Sequence, residues 1–472
     1  MSSHTADQLL FSFLPQFPII VQRHQGQMSS DAGLLPIIQF DRQWNYTARM
    51  AQCLCDPAPD IRQEHRKPLT QHQRGEMLRQ RLFGILAGYE DCNDHDTLRS
   101  DPVFKLAARR LPDDPPLASQ PTLSRFENSV TIPCLYNLMG FLIHTGIERL
   151  KEKYKGTLPA SITLDVDATD DPTHGQQQLS LFHGYFGQYQ YFPLIVSEST
   201  TKHVFLAWLR PGTVHASLGA DEDLMRVVNA LRKERPDIAI HIRGDAGFGM
   251  PRMYEVCEQN NLTYTFGFST NSRLKKLTEG LMQTAVEQHE GTKQKARLFE
   301  CFQYQCDTWK HPRTVIAKAE CQSLGTNLRF VVTNLPNVVS DEDGQKVYDD
   351  YIQRGESEQR MDELKNGLCA DRLSCHRFLA NFFRLLLHTA AFNLLAALRQ
   401  HPDLPPLLQV GQPQTWRTHL IKVAAIIVQS TRRIVVKLAA QWPWWPMYCW
   451  VAKRSLNFAG SFAIAEPFTG GP

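Results

Sequence analysis

Acidic side chains recur at three places in this sequence where their neighbours constrain what they can do. The first is Leu164-Asp-Val-Asp-Ala-Thr-Asp-Asp-Pro-Thr-His-Gly175. Here Ile162, Leu164 and Val166 alternate with Asp165 and Asp167, so both carboxylates share one face of a strand. The second is Arg243-Gly-Asp-Ala-Gly-Phe-Gly249, which places Asp245 just beyond the apolar run Ile238 to Ile242. Glycines at that point let the backbone turn sharply and approach a ligand. A strand-end Asp before glycine also reads as a turn or a helix cap. Carboxylates at the carboxyl ends of neighbouring strands converge in the crevice where α/β sheets place their sites.

The third block is Tyr351-x2-Arg354-x3-Glu358-x6-Lys365. On a helix at about 100° per residue these four side chains fall within an arc of roughly 60°. One consistent reading is a ladder of salt bridges, since Arg354 and Glu358 are an i,i+4 pair. The other gives Glu358 a metal to bind and gives Arg354 and Lys365 the phosphates beside it. Glu356 and Glu363 point away from this face, and Asp362 shares it one turn further along.

These blocks need strands and helices to hold them. Residues 1 to about 60 read as irregular. Apolar residues at helical spacing predict helices over Gln73 to Tyr89, Asp101 to Arg110, Thr122 to Glu127 and Ile132 to Tyr154. From Pro159 the period changes to 2. Strands are predicted at Ser161 to Asp167, Gln190 to Val196, His203 to Arg210, Ile238 to Ile242 and Leu262 to Phe268, with helices at Asp221 to Arg235 and Met253 to Asn260. That order suggests a mixed sheet flanked by helices. From Ala296 to Leu335 the chain reads as successive strands. Helices return at Gly344 to Gly367 and Phe378 to Leu398, followed by a hairpin from Ala424 to Leu438 and the Trp-rich segment Gln441 to Trp450.

Together the three ordered blocks resemble the DDE insertion-sequence transposases of the Y-R-E-K branch, over roughly residues 70 to 440. The resemblance implies an α/β fold: a ribonuclease H-like mixed sheet flanked by helices, with an inserted β-rich module, a helical N-terminal region and a small C-terminal region. It divides the chain into residues 1–155 (helical, DNA-binding), 156–290 with 336–400 (catalytic core), 291–335 (β-rich insertion) and 401–472 (C-terminal region). It implies a DNA transposase that binds the inverted repeats of transposon ends, cleaves DNA and transfers strands. Asp167, Asp245 and Glu358 carry over as catalytic acids and ligands of two Mg²⁺ ions, with Mn²⁺ as a substitute. Tyr351, Arg354 and Lys365 carry over as DNA contacts. Asp167 is preferred to Asp165 because the family's first acid is commonly followed by Thr within two positions, and Thr169 fits. An aromatic residue in the insertion often receives a flipped base in this family. Trp309 is the only Trp there, and a buried core position suits it better. Double-stranded DNA, both transposon ends and target, is the implied partner, engaged by a homodimer. A cytoplasmic, nucleoid-associated bacterial protein is implied.

Composition agrees with this class. Hydrophobic residues make up 42% and charged residues 21%, as in ordinary globular proteins. No signal peptide and no membrane-spanning run are read. The eleven cysteines lie scattered, without zinc-ribbon or zinc-finger spacing, and read as reduced thiols. The net charge is only +3, so any nucleic-acid surface must come from local clusters. Such clusters lie at Arg62 to Lys67, Arg74 to Arg81, Arg109-Arg110, Lys151 to Lys155, Arg273 to Lys276, Lys293 to Arg297, Arg432-Arg433 and Lys453-Arg454. The helical N-terminal region is expected to read the inverted repeats, through a helix-turn-helix around Thr122 to Phe126.

Overall fold

The computed structural model describes residues 8–11, 17, 19–23, 26–54, 72–400 and 404–456. Its centre is a mixed sheet of eight strands: β1 (Ser161–Ala168), β2 (Leu194–Glu198), β3 (Val204–Trp208), β4 (Ala239–Gly244), β5 (Thr263–Phe268), β6 (Ala296–Tyr304), β7 (Arg313–Gln322) and β8 (Gly325–Thr333). Their order across the sheet is β6-β7-β8-β5-β4-β1-β2-β3. The strands β1, β4 and β5 run parallel, and every other neighbour pair is antiparallel. The first five strands thus make the ribonuclease H-like arrangement, with β1 and β4 at its centre.

The predicted strand Gln190 to Val196 divides into Gln188–Tyr191 and β2. Pro193 stands at the break, where it has no N–H to give a ladder. The strands after Ala296 pair with one another as anticipated, but they do not stand apart from the central sheet. Strand β8 pairs with β5, matching Thr265 with Thr333 and Phe268 with Phe330. Without β8, the open edge of β5 would present unpaired backbone groups beside an apolar core. The insertion therefore extends the sheet.

Helices α1 (Leu34–Trp44), α2 (Tyr46–Gln52), α3 (Arg74–Ala87), α4 (Gln120–Asn128) and α5 (Ile132–Lys153) precede β1. The first two replace the irregular stretch expected near the N-terminus. Leu34, Ile37, Phe40, Asp41 and Trp44 of α1 are buried on one side of the helix, a stripe interrupted by the polar Asp41. Asp41 joins the two helices, accepting hydrogen bonds from the Thr47 backbone N–H and hydroxyl at 2.7 Å each. The pair α4 and α5 bends by 91°, an angle found in helix-turn-helix units. Helix α5 is buried along most of its length and joins the helical core, with Ile132 and Tyr136 exposed near its start.

Further helices are α6 (Ala220–Glu234), α7 (Pro251–Gln259), α8 (Asp341–Ile352), α9 (Gly355–Asp362) and α10 (Phe378–Arg399). The last is long and apolar enough by composition to cross a bilayer, but 89% of that stretch is buried as a core helix. A short sheet of Gln27–Ser29, Ala425–Gln429 and Ile434–Leu438 joins the two ends of the described chain. One apolar core unites the N-terminal helices, α10 and the C-terminal region, and a second fills the space around the central sheet.

The basic run Arg74 to Arg81 mostly faces inward. Arg81 is fully buried on Glu127 at 2.7 Å, and Arg384 shares that carboxylate at 3.8 Å. Arg79 is also buried. The cluster Arg62 to Lys67 lies outside the described residues.

Candidate active site

Strand register sets the first two acids side by side. Asp165 pairs with Arg243, and Val166 with Gly244, across the parallel strands β1 and β4. One further step along both strands brings Asp167 beside Asp245, on the face shared with Asp165 and Arg243. Neighbouring strands stand about 4.8 Å apart, and the Asp245 charge acts on Asp167, raising its carboxyl. Asp245 lies past the strand end and accepts the Gly247 backbone N–H at 2.8 Å. This is the turn-forming role anticipated for a strand-end Asp before glycine.

The two aspartates of the first block have different neighbours. Asp165 is fully buried and already occupied. Arg243 donates to it through Nε at 2.8 Å and Nη2 at 3.2 Å, and Arg360 through Nη2 at 2.5 Å. Arg243 reaches on to the Asp350 carbonyl at 2.7 Å. Asp165 thereby ties β1 to β4, to the end of α8 and to α9. Asp167 accepts from Arg354 Nη1 at 2.7 Å and from the Ser357 hydroxyl. Burial pushes the Asp167 carboxyl above its usual range, with Arg354 and Ser357 pulling the other way.

The third block is not one straight helix. It breaks at Gln353-Arg354 between α8 and α9, and a π-turn, Glu363–Gly367, ends it. Gly355, a poor helix former, stands at the break. The common face computed for an unbroken helix therefore does not hold. Tyr351, Arg354 and Glu358 still meet at the end of the sheet, while Lys365 bonds Asp170 at 2.9 Å on the loop after β1. Arg354 spans two acids, with Nη1 on Asp167 and Nη2 on Glu358, both at 2.7 Å. Burial opposes the Arg354 charge, but Asp167, Tyr351, Glu358 and Asp245 outweigh it and hold the guanidinium above its usual pKa. Glu358 is the open member, with 67% of its side chain exposed.

Tyr351 packs against Gly267. A Cβ at that glycine would come within 2.9 Å of the Tyr351 hydroxyl and 2.7 Å of the Ala246 nitrogen. A side chain there would push the tyrosine off the Asp245 turn. The remaining carboxylates have other partners: Glu356 faces Lys202 at 3.5 Å, Glu363 pairs with Arg399, and Asp362 accepts from Asn366 at 2.6 Å. Asp171 is buried without a hydrogen-bond partner for either oxygen.

Ser357 and Arg360 went unnoticed in the sequence. Once β1 and α9 are placed, the signal is their position one residue before and two after Glu358. Arg243 stood in the second block, but its pairing with Asp165 emerges only from the strand register. Trp309 is buried among Tyr254, Phe268 and Tyr304, with the Arg313 guanidinium 5.3 Å from its ring centre.

No group of three or more His, Cys, Asp or Glu side chains among the described residues is drawn together closely enough to hold a metal ion, and the described cysteines are free. At the acids the space between Asp167 and Glu358 is spanned by the Arg354 cation. The donors are hard carboxylate oxygens that already share one positive group, so in type and charge they fit a divalent cation.

The sequence model of the family described as "Transposase DDE domain group 1" matches residues 12–457. No curated protein matches the chain. Among solved structures, the cryo-EM piggyBac transposase synaptic complex with hairpin DNA is 13% identical, with 79% of this chain and 77% of that chain covered and a TM-score of 0.41. The Mos1 transposase paired-end complex with left transposon end is 14% identical over 43% of this chain and 60% of that chain, with a TM-score of 0.17. The Mos1 mariner paired-end complex with Mn is 13% identical over 55% of this chain and 83% of that chain, with a TM-score of 0.16. All three superpositions are loose. The family match spans both acid-bearing strands and the helix after the insertion, and enzymes of this class bind DNA and use divalent metal. The chain belongs to the transposase DDE domain group 1 family and is a DNA transposase, an enzyme that cuts and joins DNA strands.

Proposed function

We propose that Asp167, Asp245 and Glu358 are the metal-holding acids of this transposase, and that they act on the inverted repeats at transposon ends. The observation that carries this reading is the Arg354 bridge: one guanidinium bonds Asp167 and Glu358 from a turn that also sets Tyr351 against the Asp245 loop. Two Mg²⁺ ions, or Mn²⁺ in their place, would supply an activated water and stabilise the leaving oxygen.

The chain's own residues supply positioning. Ser357 and Arg354 fix both oxygens of Asp167. Asp165, clamped by Arg243 and Arg360, holds α9 against β1, so Glu358 is presented at a set height over the sheet end. Exposure of Glu358 leaves its carboxylate free to turn inward. With metal on the acids, Arg354 would be released from Asp167 and available to a DNA phosphate, with Tyr351 and Lys365 beside it as further DNA contacts. No nucleophilic Ser or Tyr is required, because water attacks first and the freed 3′-hydroxyl attacks target DNA afterwards. Two ends must be brought together, so a homodimer forms on DNA.

The test compares Asp167→Asn, Asp245→Asn and Glu358→Gln with Asp170→Asn. Each variant is assayed for cleavage of end DNA in Mg²⁺ and for binding by mobility shift. The first three are expected to bind and not cut, whereas Asp170→Asn cuts. Cleavage by Asp167→Asn at the wild-type rate would remove the first acid from the site.

A further inference from the structure

A cavity of about 250 Å³ lies behind the acids, between α9, the end of α10 and the turn joining β2 to β3. Among its lining residues are Arg360, Arg399, Lys202, Glu356 and Glu363, over an apolar floor that includes Phe392. It has room for roughly eight waters at about 30 Å³ each, hence for a phosphate group and part of its shell.

The two arginines are only half used. Arg360 is 4% exposed and spends Nη2 on Asp165, while its Nε and Nη1 have no hydrogen-bond partner. Arg399 gives Nη1 to Glu363, while its Nε and Nη2 have none. Nε and Nη2 lie on one edge of a guanidinium and form the fork that fits two oxygens of a carboxylate or phosphate. Arg243 uses that same edge on Asp165. In Arg399 the fork is unspent, in a wall of a cavity that a second, nearly buried guanidinium also lines. Buried charged donors without acceptors are costly, and an oxyanion would satisfy both donors of the Arg399 fork together with one from Arg360. The lining holds three cations against two carboxylates, and both carboxylates are already paired, Glu363 with Arg399 and Glu356 with Lys202.

We propose that this cavity binds a phosphate-class oxyanion through Arg360 and Arg399. Such an anion would pin α9, the helix of Glu358, to the end of α10. Binding itself does not depend on the assignment of the metal-holding acids. The phosphate could be free in solution or be the 5′-terminal phosphate of a DNA strand.

The test uses the full chain. Thermal unfolding is followed while sodium phosphate is titrated against sodium chloride at equal ionic strength, and the ³¹P linewidth is read in parallel. The wild type is expected to show saturable stabilisation and broadening specific to phosphate. Arg399→Gln should weaken the apparent affinity at least tenfold. Arg399→Lys keeps the charge and loses the fork, so it should weaken binding too, and it serves if the Gln variant does not fold. A 5′-phosphorylated dinucleotide that competes with phosphate, where the unphosphorylated one does not, would make a strand end the source. Failure of both to compete would make it free phosphate. Phosphate acting no differently from chloride, or Arg399 variants responding like the wild type, would overturn the proposal.

Discussion

Arg354 reaches Asp167 at 2.7 Å across 187 positions of sequence, and its other arm holds Glu358. A positive group thus sits between two acids that would otherwise repel each other. Removing it should have opposite effects with and without metal. In metal-free buffer, Arg354→Ala is expected to unfold at a lower temperature than the wild type. The stabilisation gained on adding Mn²⁺ should be larger than in the wild type, because the site then carries one more unit of negative charge. Differential scanning with and without Mn²⁺ checks both halves. An unchanged metal response would mean that the arginine and the metal do not share these oxygens.

Ser357 should matter through Asp167 alone. Its hydroxyl fixes one carboxylate oxygen, and partners of this kind typically contribute about 10–100-fold in metal affinity or activity. Ser357→Ala is expected to raise the Mn²⁺ concentration needed for half-maximal cleavage within that range, while Ser357→Thr recovers part of it. Equal metal dependence in all three proteins would make the serine a packing residue.

Asp171 gives a pH signature with a definite sign. Burial first, then the charges of Asp371 and Asp170, raise its carboxyl well above 3.8, and Lys365 only partly offsets them. Between about pH 4 and that raised value, the folded chain keeps a proton that the unfolded chain has lost. Stability contributed by this group therefore falls as pH rises through the window. His203 and His241 act on the acid side: burial lowers them to about 3 and about 4, so acidification below 6.5 favours the unfolded chain. Asp171→Asn should leave the histidine effect intact and remove the other. Urea midpoints at pH 5 and pH 8 are the measurement. The variant is expected to exceed the wild type by about 1–3 kcal/mol at pH 8, with a much smaller gain at pH 5.

Glu127 holds the N-terminal helices to α10. Arg81 and Arg384, both nearly fully buried, share its carboxylate. Glu127→Ala strands the buried Arg81, while Arg384 keeps Asp91 at 2.9 Å, and should cost about 3–5 kcal/mol in chemical denaturation. Because the proposed metal-holding acids lie elsewhere, residual folded protein should cut DNA with an unchanged metal dependence.

Trp309 offers the contrasting test within the insertion. It is packed among aromatic rings, so Trp309→Ala should cost about 3–5 kcal/mol in stability. Trp309→Phe should cleave end DNA normally. A cleavage defect in the Phe variant at full stability would restore a base-stacking role.

Much of the site was visible in the sequence because it depends on local period. Alternation placed Asp165 and Asp167 on one face, and glycines marked the turn at Asp245. What alternation could not do was divide labour between Asp165 and Asp167. That depends on Arg243 and Arg360, which come from another strand and another helix. The straight helix over Tyr351 to Lys365 failed for a related reason. Spacing assumes a constant rise and twist, and the break before Gly355 with the π-turn after Asp362 alters both. Helices α1 and α2 were missed because polar Asp41 and Thr47, buried on each other, occupy positions on their inward faces. The insertion's strands were legible, but their docking on β5 was not, since edge pairing leaves no trace in period.

The sheet that joins the two ends of the chain sets a timetable. Gln27–Ser29 pairs with Ala425–Gln429, and Asp31 holds Lys422 at 2.6 Å from 391 positions away. Gly33 lies so close to the Leu420 carbonyl that any side chain there would overlap it. During translation Gln27–Ser29 thus waits for its partner until the chain is made through Gln429, roughly 20–80 s at 5–20 residues per second. A nascent chain released before residue 425 keeps that edge open and its helical core uncovered. Such fragments are expected to be more open to proteases than a chain that carries both strands.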